Sequence, residues 1–140
     1  MTGQDTSVTT GGCLCGAVRY AVRGPLRRIW DCHCGQCRRW HGHVAAYTRA
    51  ERDDIDISDA GGALTWFQSS DTARRGFCAT CGSSLFWDRL ADSDLSIAAG
   101  SLDQPSGLTT EGHIYVSDKA DYYEIADGLE QVPGTKLGTG

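Results

Sequence analysis

The stretch Asp31-Cys32-His33-Cys34-Gly35-Gln36-Cys37-Arg38-Arg39-Trp40-His41-Gly42 places three cysteines within six residues, in the spacing C-x-C-x2-C. Two further clusters, Cys13-Leu14-Cys15 and Cys78-Ala79-Thr80-Cys81, complete the seven cysteines of the 140-residue chain. Seven is odd, so internal disulfides cannot pair them all. Clusters with one or two residues between thiols instead match metal-ligand spacing. In an extended backbone, side chains two apart point to the same side, so each C-x-C presents both thiols to one ion. A C-x2-C followed by glycine, as at Cys81-Gly82, is a tight knuckle that does the same.

Zinc is the expected metal, and seven thiols divide as four plus three. A structural zinc takes four protein ligands, whereas a reactive one keeps three and leaves a position open. The four are Cys13, Cys15, Cys78 and Cys81; the three are Cys32, Cys34 and Cys37. Spacing also permits a ribbon of Cys34, Cys37, Cys78 and Cys81, and permits His33 or His41 to close the central site as a fourth ligand. Three thiolates on Zn²⁺ leave a net negative site. Such an ion is a poor generator of hydroxide but a good seat for a soft thiol. Cys32, Cys34 and Cys37 are therefore the candidate catalytic residues, and carbon–sulfur chemistry is expected over peptide or phosphate hydrolysis. Arg38 and Arg39 stand beside that cluster, either as anchors for a substrate carboxylate or as ordinary paired arginines. His41 reads as a proton shuttle or a structural histidine, and His33 is expected to point away from the ligands.

The rest of the chain bounds the class. The formal charge of -5 and the absence of a basic block argue against nucleic acid. No stretch is apolar enough to span a bilayer, and the first residues lack the pattern of a secretory signal. A cytoplasmic protein with reduced thiols is expected. Eighteen glycines and three prolines point to many turns. Short alternating runs predict strands over 17–22, 44–48, 63–67, 84–87, 95–100, 113–116 and 122–125, with a short helical turn from Arg38 to His41 ended by Gly42. Residues 51–62 read as an acidic loop, and 1–10 and 128–140 as loose tails around a single domain, 11–127. The expected fold is mainly β with little helix.

The segments Gly11-Gly-Cys-Leu-Cys-Gly16 with Val18-Arg19-Tyr20, Cys32-His-Cys-Gly-Gln-Cys37-Arg38 and Phe77-Cys-Ala-Thr-Cys-Gly-Ser83 resemble the glutathione-dependent formaldehyde-activating enzyme (GFA) family, or CENP-V/GFA domain. Gly100-Ser-Leu-Asp103, His113-Ile114 and Lys119-Ala120 are weaker matches. The resemblance implies an Mss4-like zinc-binding β fold and the same four-plus-three division, with an exchangeable catalytic zinc on Cys32, Cys34 and Cys37. It also implies a carbon–sulfur lyase joining glutathione and formaldehyde as S-hydroxymethylglutathione, so that the partners are a small thiol and an aldehyde. The alternative is a non-catalytic zinc module for protein interaction or metal delivery; a thiol redox protein is a third reading.

Overall fold

The computed structural model describes residues 8–135. The strands are β1 Thr9–Gly12, β2 Arg19–Val22 and β3 Ile29–Cys32; then, after the helix α1 Gly35–His41, β4 Ala45–Glu51, β5 Ile55–Ser58, β6 Leu64–Gln68 and β7 Ala73–Cys78. The chain continues with β8 Ser84–Arg89, β9 Asp94–Ala98, β10 Thr110–Ile114 and β11 Glu130–Gln131. The protein is mainly β, as its short alternating runs predict. No described helix is long and apolar enough to cross a membrane.

The sequence shows no internal boundary, yet the backbone groups into two compact units. One holds the residues up to Arg27 together with Thr48–Gly107, and the other holds Arg28–Tyr47 with the residues from Leu108 onward. In the first unit, β1, β2 and β5 form a small antiparallel sheet, and β9, β8, β7 and β6 are successive antiparallel neighbours. Alternation along β2 works as expected: Tyr20 and Val22 are buried and Arg19 is exposed. Val18, Leu85, Phe86 and Ile97 are wholly buried with them, and Tyr20 and Phe86 meet at 5.6 Å between ring centres. Each such side chain contributes roughly 1.5–3 kcal/mol by leaving water.

A buried carboxylate clamps two of these strands. Asp88 on β8 is paired in register with Arg74 on β7. Its side chain has no solvent exposure, and it accepts from Arg74 Nε at 2.9 Å and Arg52 Nη2 at 2.8 Å. Arg74 also lies 3.9 Å over the Trp66 ring. The pair Arg74-Arg75 is therefore structural: Arg75 is itself buried. This is why β7, charged in sequence, escapes a hydrophobic pattern.

In the second unit, β3 is flanked by β4, antiparallel, and by β10, parallel, and β11 pairs parallel with β10. Trp30 and Cys32 are buried on one side of β3. Gly112 is required where β10 passes Trp30: a Cβ there would lie 2.6 Å from Trp30 Cζ3 and 2.9 Å from the Glu130 carbonyl. The helix α1 starts earlier than its sequence suggests. Its N-cap is Cys34, whose sulfur accepts from the Cys37 N–H at 3.3 Å, and it ends at Gly42 in the left-handed region, φ 84°.

Four expectations need correction. Thr9 and Thr10 belong to β1 and Glu130–Gln131 form β11, where loose tails were expected; the rest of the expected tails, 1–7 and 136–140, lies outside the described residues. Ile55–Ser58, inside the supposed acidic loop, pairs with β2. Residues 122–125 are irregular and not a strand. There Lys119 Nζ takes up the carbonyls of Ala120 and Tyr123, so these acceptors do not serve a strand ladder.

Candidate metal centres

The ligand atoms of Cys13, Cys15, Cys78 and Cys81 all lie within 4.8 Å of one another, and so do those of Cys32, Cys34 and Cys37. The ribbon division is thereby excluded, since Cys78 and Cys81 gather with Cys13 and Cys15. Four sulfurs placed tetrahedrally at about 2.3 Å from an ion stand roughly 3.8 Å apart. The Cys13–Cys15 and Cys15–Cys78 sulfur separations are 3.7 and 3.8 Å. The size and softness of the donor set fit zinc.

Local backbone chemistry builds the first cluster. Cys13 and Val18 close a turn by two bonds: Cys13 N–H to the Val18 carbonyl at 3.0 Å, and Val18 N–H to the Cys13 sulfur at 3.3 Å. Gly16 supplies the left-handed residue that this turn needs, at φ 84°. The knuckle repeats the device. Gly82, at φ 83°, donates to the Cys78 carbonyl at 2.7 Å, and the Cys78 N–H donates to Ser83 O at 3.0 Å. Ser83 joins the two halves. Its hydroxyl accepts from the Leu14 N–H at 3.0 Å and lies 3.2 Å from the Cys81 sulfur, to which it donates. That hydrogen bond is the main reason the Cys81 thiol is lowered to about 5.

The second cluster is more buried and more strongly polarised. Cys32 ends β3, Cys34 caps α1 and Cys37 lies in its first turn. Hydrogen bonds from the Cys32 and Cys37 thiols bring Cys34 down to about 2, while the same crowding pushes Cys32 far up. Tyr115, held in the left-handed region at φ 56°, feels these sulfurs as well: burial first and the charge on Cys32 and Cys34 next raise its hydroxyl.

No fourth His, Asp, Glu or Cys among the described residues completes this second group. His33 and His41, the candidate fourth ligands, are both engaged elsewhere. His41 Nε2 meets the Tyr47 hydroxyl at 2.7 Å. His33, buried and turned away from the sulfurs as expected, has Nδ1 at 2.5 Å from the Tyr123 hydroxyl and Nε2 at 2.9 Å from His113 Nδ1. The parallel register explains the encounter: Asp31 pairs with His113 and Cys32 with Ile114, and the His33 N–H donates to Ile114 O at 3.0 Å. His113 Nε2 in turn bonds Asp127 Oδ2 at 2.8 Å. Arg38, next to Cys37, keeps a buried Nε without a hydrogen-bond partner among the described residues. Tyr115, Tyr123 and Asp127 were not singled out in sequence. They stand some 80–95 residues from the cluster, and no spacing rule links them to it.

A small β protein with one four-thiol and one three-thiol cluster is the class that these features define. The sequence profile of the glutathione-dependent formaldehyde-activating enzymes matches residues 8–118, and the chain belongs to this family. Among its relatives, an uncharacterized lyase of Schizosaccharomyces pombe is 25% identical over 119 residues, covering 84% of this chain and 85% of the relative. A Halomonas elongata protein named "Putative glutathione-dependent formaldehyde-activating enzyme" is 27% identical over 127 residues, covering 82% and 79%. A Rhodobacter sphaeroides protein of known crystal structure superposes with a TM-score of 0.53 at 29% identity, over 72% of this chain and 97% of that one. Family and relatives together support a lyase-type enzyme.

Proposed function

We propose that the chain is a zinc-dependent carbon–sulfur lyase that joins a small thiol to an aldehyde. The observation that carries this reading is the three-sulfur group of Cys32, Cys34 and Cys37, to which no described residue adds a fourth ligand. In this reading Cys13, Cys15, Cys78 and Cys81 hold a structural zinc, and Cys32, Cys34 and Cys37 hold an exchangeable one. When bound there, zinc supplies an open position at which a soft thiol gives up its proton readily.

The protein's own groups do the rest. Three convergent thiolates would give the site a net negative charge and soft donors, which suit an incoming thiol better than a hard oxygen ligand. Arg38, with a spare buried donor beside Cys37, offsets part of that charge and is the candidate anchor for a substrate carboxylate. The reaction forms one S–C bond, and the thiol proton ends on the former carbonyl oxygen, so nothing is oxidised or reduced. The family name points to glutathione and formaldehyde, with S-hydroxymethylglutathione as product.

The test is metal content and turnover together. The expected result is two zincs per chain, one of them removed by a mild chelator, with thiol-dependent consumption of aldehyde that stops on its removal and returns with zinc. Two equally inert zincs, or no turnover with any thiol and aldehyde pair, would instead leave a non-catalytic zinc module.

A further inference from the structure

His33 sits between two of the three clustered cysteines, and its side chain is the centre of a chain of hydrogen bonds that the proposed chemistry does not use. The chain runs Tyr123 hydroxyl, His33, His113, Asp127, with separations of 2.5, 2.9 and 2.8 Å. Both histidines are buried, while Asp127 is 43% exposed at the end. An ionised carboxylate only accepts, so His113 carries its proton on Nε2. Neutral His113 then offers a bare Nδ1, which accepts from His33 Nε2–H. His33 Nδ1 is left bare in turn and accepts from the Tyr123 hydroxyl. One carboxylate thus sets the direction of three bonds, as a carboxylate on one ring nitrogen generally fixes a histidine's tautomer. Asp31 Oδ2 faces His113 Nδ1 too, but at 3.9 Å it is beyond hydrogen-bond reach.

We propose that Asp127, His113 and Tyr123 are positioning residues for the metal at Cys32, Cys34 and Cys37, acting through His33. With both ring nitrogens tied and its backbone N–H on Ile114, His33 has no freedom to rotate, and the Cys32–Cys34 backbone is held with it. The two sulfurs are then set toward one point before any ion arrives. A three-ligand site needs this more than a four-ligand one, because it has one fewer bond with which to enforce its own geometry. Partners that orient metal ligands commonly change metal affinity tenfold to a hundredfold when removed. The inference rests on the three-cysteine group being a metal site, as proposed above.

The experiment has two arms. In the first, ¹⁵N NMR of the zinc-loaded wild-type protein reads the tautomers of both rings. The expected result is neutral His33 and His113, each protonated on Nε2. A proton on His33 Nδ1, or a cationic His113 near neutral pH, would reverse the chain and overturn the proposal. In the second, Zn²⁺ affinity is measured by competition with a chromophoric chelator for wild type, Asp127→Ala and Tyr123→Phe. The exchangeable site should weaken by roughly tenfold to a hundredfold in both variants. The tight site and the melting temperature should hold, since Asp127 is exposed and packs little. Unchanged affinity in both variants would refute the positioning role and leave the metal site standing. A wild-type protein that binds a single zinc would remove both.

Discussion

Replacing Cys15 by serine is the most informative single change to the four-cysteine cluster. Cys15 is exposed, whereas Cys13 and Cys78 are buried. If Cys13, Cys15, Cys78 and Cys81 hold a structural zinc as proposed, Cys15→Ser removes a sulfur ligand while opening no cavity, and any lost stability belongs to the metal. A structural zinc contributes on the order of 10–16 kcal/mol of apparent binding free energy to a fold that needs it. A quarter share for one of four thiolates is about 2.5–4 kcal/mol. At roughly 3 °C per kcal/mol for a chain of this size, the unfolding midpoint should fall by about 10 °C. Scanning calorimetry of both proteins, with and without excess strong chelator, provides the assay. With chelator present the two midpoints should converge, because the difference is carried by an ion that neither protein then holds. Cys34→Ser is the comparison: it should reduce the metal count from two to one with a smaller change in midpoint. Retention of the tight zinc in Cys15→Ser, or a gap between midpoints that survives chelation, would refute the reasoning.

Three other outcomes are expected. Burial, and then the neighbouring charges of His113, His43 and Lys119, lower His33 from 6.5 to about 4. The unfolded chain therefore takes up this proton first as the medium is acidified. Stability from His33 is full above about pH 6.5 and is lost as pH falls toward about 4, by at most about 3 kcal/mol. Urea titrations across that window should show a steeper loss in wild type than in His33→Gln, the acid release of metal being common to both and cancelling in the difference. Asp88→Ala should destabilise by about 3 kcal/mol, the low end for a broken buried ion pair, because Arg52 and Arg74 are each about one-third exposed and can still reach water. Denaturant midpoints at constant metal load would measure it. Gly112→Ala should cost about 1–3 kcal/mol, as the new methyl meets the Trp30 ring and the Glu130 carbonyl. The same titrations, followed by Trp fluorescence, would detect it.

What the sequence makes legible here is what local chemistry decides. C-x-C and C-x2-C are statements about adjacent residues, so each cysteine cluster could be read directly, whereas the joining of Cys13 and Cys15 to Cys78 and Cys81 spans 63 residues and spacing alone left a ribbon open as well. The alternation of Val18, Tyr20 and Val22 marks a half-buried strand. What it hides is settled by distant partners. Arg74 looks like a surface charge until Asp88, fourteen residues on, is placed across from it. Tyr122-Tyr123-Glu124-Ile125 has the composition of a strand, but Lys119 satisfies the carbonyls that a neighbouring strand would have taken. The link between His33 and His113 spans 80 residues and arises only from the parallel register of β3 and β10. Ser83 lies just after the third cysteine cluster, yet its role as a bridge between Leu14 and Cys81 follows from the folded turn alone.

The two sulfur groups also differ in when they can exist. Cys32, Cys34 and Cys37 are made almost together, so their group is complete as soon as Cys37 clears the ribosome. Cys15 must wait for Cys78, 63 residues later, which at about 5–20 residues per second means several seconds of exposure to oxidants and stray metals. On the proposed assignment, the ion that would secure the architecture is thus the last to be housed during synthesis, and the exchangeable ion has the first opportunity to bind.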